Sequence, residues 1–282
     1  MRRPFAILFF SLLLQAQTPY DRAAAQFAST GYDAALKTLQ SAGLKTAFDF
    51  ELAGRCRFHQ GDFKQAVEHF EKAVAADPKR SLSVLWLGRA WGRRAETSNP
   101  LMAPVYASRA RQNFEKAVQL DPRNYEAVND LFSYYVDAPG IMGGGLDKAE
   151  KLLEPIRAHD PAEYHYALAV LAERRRLWDA AESQWRKAAE LAPRQAGRLV
   201  DLARFLARRN KWPESEKVFA RAEQINPSSP ALIYSRAEAY VEARRNLETA
   251  RALLEMYLTL PLTPDDPSRD EARRLLRRAT GG

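Results

Sequence analysis

Four stretches of the chain repeat one order of small, bulky and helix-ending positions. Each closes on a proline: VAADP at Pro78, VQLDP at Pro122, AELAP at Pro193 and EQINP at Pro227. Five residues before each proline stands an alanine (Ala73, Ala117, Ala188, Ala222), and eight before stands an aromatic (Phe70, Phe114, Trp185, Phe219). Twelve before come Ala66, Ala110, Ala181 and Ser215. Spacings of four and three put these positions on one face of a helix. The small residues let a neighbouring helix approach, the aromatic fills the space beside them, and the proline ends the helix. Composition points the same way: alanine, leucine, glutamate and arginine are abundant, and glycine is sparse outside residues 138–148.

Upstream of each second helix the pattern continues. Phe50, Gly54, Gly61 and Phe63 precede Ala66, and Leu87, Gly88 and Trp91 precede Ala110. Trp178 and Trp212 stand at equivalent places in 162–195 and 196–229, each of 34 residues. These residues resemble the tetratricopeptide repeat, two antiparallel helices in 34 residues with W-x2-L-G-x2-Y, then A-x3-F, then P. The resemblance implies an all-α, right-handed superhelical solenoid over residues 17–282. Its repeats fall at about 19–46 (degenerate), 47–80, 81–124, 125–161, 162–195, 196–229 and 230–263. A terminal helix at 268–279 suits a cap: Ser268 and Glu271 form a capping box, and Ala272, Leu275 and Leu276 make one apolar stripe among arginines.

Two repeats are too long. Between Trp91 and Ala110 there are ten residues more than the pattern allows, which places an insertion in AETSNPLMAPVYAS, stiffened by Pro100 and Pro104. Between Tyr135 and Ala149 there are five more, and these are the glycine-rich APGIMGGGLDK. Gly140 and Gly145 have the spacing of a phosphate loop, but Leu146-Asp147 follows where Lys and Ser or Thr belong, and no strand precedes. The stretch therefore reads as a joint between helices, with Asp147 expected to cap the second. Both insertions join the two helices of a repeat and so emerge on one edge. Leu101, Met102, Ile141 and Met142 are the candidate edge-loop contacts. The two loops together also resemble a group of exported bacterial tetratricopeptide proteins, which implies location and fold but no activity.

The first residues, MRRPFAILFFSLLLQAQ, add a basic start, an apolar run and a small residue at Ala16. That is the build of a signal peptide over 1–16, cleaved near Ala16, for a periplasmic or secreted chain with no stable membrane span after cleavage. Cys56 is the only cysteine, so packing alone holds the fold, and its setting is that of a buried structural thiol. The net charge of +8 is spread among interspersed acids, which suits anionic envelope surfaces but not nucleic acid.

No catalytic, metal or cofactor-binding residues are expected. The four histidines (His59, His69, His159, His165) form no H-E-x-x-H pair, and no G-x-S-x-G elbow or dinucleotide fingerprint occurs. His165 takes a packing position, whereas His59 and His69 fall on a solvated or groove face. What remains is recognition. The resemblance places the first helix of each repeat on the concave face, and its outward positions include Glu51, His59, Ser133 and Glu238. Arg55, Arg89, Arg93, Asn129, Tyr166, Arg174, Arg204, Arg208 and Tyr234 are the candidate groove residues. The expected function is a non-enzymatic scaffold that holds a protein or peptide partner in the bacterial cell envelope. The alternative is a solute receptor or transport accessory with a small anion between the groove and the glycine loop. The sequence leaves the oligomeric state open.

Overall fold

In the computed structural model, which describes residues 18–263 and 266–281, helix follows helix in antiparallel pairs. The expected signal peptide lies outside the described residues. The pairs are α1 Pro19–Ala28 with α2 Tyr32–Ala42, α3 Ala47–His59 with α4 Phe63–Ala76, and α5 Ser81–Thr97 with α6 Ala103–Leu120. Next, α7 Tyr125–Asp137 meets a second helix broken into α8 Leu146–Glu150 and α9 Leu153–His159. Then come α10 Pro161–Arg174 with α11 Trp178–Leu191, α12 Ala196–Arg208 with α13 Trp212–Ile225, and α14 Pro230–Glu242 with α15 Leu247–Thr259. Helix α16, Arg269–Ala279, closes the stack. Each pair packs on the next, and first helices also touch first helices, which makes an all-α solenoid.

The repeated pattern is the core. Ala66, Phe70, Ala73, Ala181, Ala188, Ser215, Phe219 and Ala222 are wholly buried, and Phe114 and Trp185 nearly so. Gly54 and Gly88 mark where the first helix comes close enough to its partner to exclude a methyl group. A Cβ there would fall 2.6 Å from the Phe70 ring and 2.8 Å from the Phe114 ring. Cys56 is buried as expected, and burial pushes its thiol up to about 12, which keeps it protonated and inert.

Five of the turns within pairs share one closure. A residue with positive φ stands at Thr30, Gly61, Arg176, Asn210 and Arg244. The next N–H donates back five residues: Gly31 to Gln26, Asp62 to Arg57, Leu177 to Ala172, Lys211 to Leu206 and Arg245 to Tyr240. This is the Schellman closure, whose left-handed position favours Gly or Asn. Only Gly61 and Asn210 follow that preference.

The two insertions depart from the sequence expectation. The first is not a long loop. Helices α5 and α6 each lengthen and absorb most of it, leaving a short turn at 98–102. Pro104 sits in the first turn of α6, where its missing N–H is harmless, and Asn99 Oδ1 accepts from the N–H groups of Leu101 and Met102, each at 3.1 Å. The second is a closed structure. A 3-10 turn, Gly140–Met142, is followed by Gly143 with φ 85° and by Gly145, whose N–H donates to the Tyr135 carbonyl at 2.8 Å. Asp147 does not cap α8. The N-cap is Gly145, without a side-chain bond, because α8 begins at Leu146 and leaves Asp147 inside the first turn. The break between α8 and α9 is traceable to Pro155, which has no N–H for the carbonyl four residues back and crowds it.

Candidate functional site

The first helices α3, α5, α7, α10, α12 and α14 follow one another along one face, the face that the tetratricopeptide resemblance makes concave. Every expected groove arginine is there, but most are already engaged. Arg89 donates to Asp130 on α7 at 2.6 Å and pairs with Glu126 at 3.0 Å. Arg204 pairs with Glu238 on α14 at 2.8 Å, Arg208 with Glu173 on α10 at 2.8 Å, and Arg174 with Asp137 on α7. Arg93 donates to Glu96 within its own helix at 2.5 Å. With Arg198 on α12 paired to Glu163 on α10, a first-helix arginine meets a carboxylate of the neighbouring first helix five times over. These pairs neutralise the face and fix the register of successive repeats. They do not present a row of free cations.

Arg55 differs. Its guanidinium lies 4.8 Å from the Phe27 ring and 5.0 Å from Trp86, held between two aromatic faces. Arg89 covers Trp86 as well, at 4.7 Å. His59, expected on a solvated or groove face, is half-buried in the same nest, stacked on Tyr32 at 5.4 Å. His69 is half-buried too, and burial lowers its pKa. Glu51, read as a groove residue, is buried: it accepts from Arg80 Nε at 2.8 Å and from Ser83 Oγ at 2.6 Å. Its structural partners explain the difference, since an acid so enclosed needs them. His165 Nδ1 lies 2.6 Å from Gln184 Oε1, and its ring is half-buried.

Between α5, α6, α7 and the glycine loop the concave face opens into a pocket of about 630 Å³. Its floor is apolar (Phe58, Trp86, Phe114 and Tyr134), and Met142 reaches into it from the loop. Tyr134 holds that loop by donating its hydroxyl to the Met142 carbonyl at 2.8 Å. Arg89 and Arg93 line the wall beside Glu96, Asp130 and Asp137, and Ser133 is exposed within it. The edge-loop candidates therefore divide. Met142 belongs to the groove, whereas Leu101 (87% exposed) and Ile141 (96%) stand out on the edge. Met102 lines a hollow against the preceding turn at Gly61–Lys64. Sequence reading missed the aromatic floor because its rings come from helices of different repeats.

Further along, Tyr166 carries Arg198 over its ring at 4.2 Å and meets Trp185 edge-on, while Tyr234 packs on Tyr257. Asn129 is half-buried on α7. A smaller hollow of about 230 Å³ has Tyr166 and Asp201 in its wall. Burial pushes the Asp201 carboxyl up to about 6, and Arg198 and Arg204 only partly offset this. An acid raised in the fold stabilises it fully below its unfolded pKa and loses that contribution as pH rises through about 6. Asp201→Asn should then gain on the order of 1 kcal/mol at pH 7.5. It should also flatten the loss of stability between about pH 4 and 6. Urea unfolding at pH 4.5 and 7.5 measures this, and parallel profiles for the two proteins would refute it.

Among the described residues no group of three His, Cys, Asp or Glu is placed to hold a metal, and no helix is long and apolar enough to cross a membrane. The fold and the face together define a helical-repeat solenoid with a groove along its first helices. The tetratricopeptide repeat profile matches residues 47–80, and the chain as a whole has the fold of a tetratricopeptide-repeat protein. A tetratricopeptide repeat protein from Parabacteroides merdae superposes with a TM-score of 0.70 over 93% of this chain and 97% of its own, at 12% identity. A thermophilic TPR protein from Thermus thermophilus gives 0.55 over 67% and 97%, at 23% identity. The C-terminal part of a TPR repeat-containing protein from Cytophaga hutchinsonii gives 0.51 over 91% and 99%, at 17% identity. No curated protein matches the sequence.

Proposed function

We propose that the chain is a non-catalytic scaffold of the cell envelope, holding an extended segment of a protein partner in its concave groove. The observation that carries this is the pocket of about 630 Å³ on that face, walled by three helices and the glycine loop. Its aromatic floor suits an apolar anchor side chain, the kind of contact that concentrates binding energy at an interface. The paired charges around it suit the polar backbone of an extended chain. A small anion fits less well: two arginines face three carboxylates in the wall, and each arginine is already paired. Envelope location rests on the leader-like first residues, and the interaction role on the fold.

Affinity capture from an envelope extract tests the reading, with wild type run beside Ser133→Trp and Ile141→Ser. Ser133 is exposed in the pocket, so tryptophan fills it without touching the core. The expected result is a protein retained by wild type and Ile141→Ser and weakened about tenfold or more by Ser133→Trp. Loss from Ile141→Ser alone would move the site to the edge, and capture indifferent to both would overturn the groove.

A further inference from the structure

Three successive turns in the C-terminal half read ERRRLW (173–178), ARRNKW (207–212) and ARRNLE (243–248). All join a first helix to a second, so all emerge on one edge of the solenoid, and ring contacts tie them together. Arg209 lies 4.7 Å over Trp178, and Arg245 lies 4.6 Å over Trp212. Arg174, Arg175, Arg208 and Lys211 are paired with Asp137, Glu150, Glu173 and Glu182. Arg176, Arg209, Arg244 and Arg245 are exposed and have no carboxylate within ion-pair distance among the described residues. The last turn of α16, which shares a hollow with Arg251 and Glu255 of α15, adds Arg277 and Arg278 in the same condition. Exposed Asp179, Glu242 and Glu248 lie near these turns and offset only part of that charge.

Two features set this edge apart from an ordinary solvated surface. Arg176 and Arg244 occupy the left-handed position with φ 60° and 51°, where glycine or asparagine fits at less cost. Beside the cations, large apolar side chains face solvent: Leu177 is 54% exposed and Trp178 37%. Ile141 and Leu101 continue the line on the two preceding turns of the same edge. Nucleic acid would use the arginines but has no use for exposed isoleucine and leucine. An anionic bilayer surface uses both, with arginine on lipid phosphates and tryptophan and aliphatic groups at the headgroup level.

We propose that this edge docks on an anionic phospholipid surface and leaves the groove, which lies on another face, free for a partner. It is independent of what the groove holds. The test is co-sedimentation of the chain from Thr18, the form expected after cleavage of the leader, with vesicles of phosphatidylcholine and phosphatidylglycerol, and with phosphatidylcholine alone. Two variants are compared. Arg176→Ser/Arg209→Ser/Arg244→Ser/Arg245→Ser removes the four turn charges. Arg176→Gly/Arg244→Gly removes two while relaxing the backbone, so weaker binding there cannot come from misfolding. The expected result is a wild-type preference for the anionic vesicles, cut about tenfold in the glycine pair and further in the quadruple variant. Equal binding by all three proteins overturns the proposal. So does capture of a short DNA duplex, sensitive to the same substitutions, by a chain that shows no preference for anionic vesicles.

Discussion

Glu51→Ala is expected to cost about 3 kcal/mol of stability. Glu51 is 5% exposed and accepts from Arg80 on one side and Ser83 on the other. Ser83 is wholly buried and loses its acceptor when the carboxylate goes. Arg80 keeps its stacking over the Phe48 ring at 4.2 Å and can turn its guanidinium to water, since 24% of its side chain is exposed. The loss therefore falls at the lower end of what breaking a buried pair costs. Glu51→Gln keeps an acceptor for Ser83 and should lose roughly half as much. Urea unfolding followed by tryptophan fluorescence gives both values. A loss under about 1 kcal/mol for alanine would show that the triad adds little to the joint between α3 and α5.

Gly144→Ala should be nearly as damaging, through a different cause. A Cβ at that position would lie 1.8 Å from the Ala138 carbonyl oxygen, which is backbone and cannot step aside. The loop must open to admit it, giving up the Gly145 to Tyr135 hydrogen bond and the Tyr134 hold on Met142. At about 1 kcal/mol for each bond plus the strain, the cost is on the order of 2–3 kcal/mol. In a chain of this size that lowers the melting temperature by roughly 4–10 °C. The pocket wall should suffer with it, so any groove ligand found for wild type should bind Gly144→Ala more weakly. An unchanged melting curve would mean that the loop accommodates the methyl group without opening.

Much of this architecture could be read from the letters because it depends on side-chain size at fixed spacing. Ala73, Phe114 and Trp185 are buried where the small–bulky–small pattern puts them, and Gly54 and Gly88 face the rings that their lack of a Cβ admits. The groove was harder, since exposure and pairing depend on residues a whole repeat away. Arg204 meets Glu238 at a separation of 34 residues, and Arg208 meets Glu173 at 35. An acid one period from each arginine is the signal that would have shown these charges to be engaged. The length of the first insertion was visible, but its form was not. Helix propensity carries α5 on to Thr97, and Pro104 then begins the next helix. Likewise Glu51 looked like any outward acid until Arg80 and Ser83 closed on it.

The break at Pro155 has a mechanical consequence. Beyond it, from Ala169 to Ala279, one continuous apolar core joins three helix pairs and the last helix. Up to and across the break the core is divided into smaller clusters, one of which joins Val128 and Phe132 of α7 to Ile156 of α9 and to Ala167 and Leu171 of α10. A stack of coupled repeats is stiff where neighbours share a core and yields where a helix is interrupted. The C-terminal segment, with its single shared core, is therefore expected to be the stiffer part of the superhelix, and the N-terminal segment that holds the pocket the more pliant. A change of curvature is then expected to fall on the segment around the pocket, altering the width of the groove there before the remainder of the coil is disturbed.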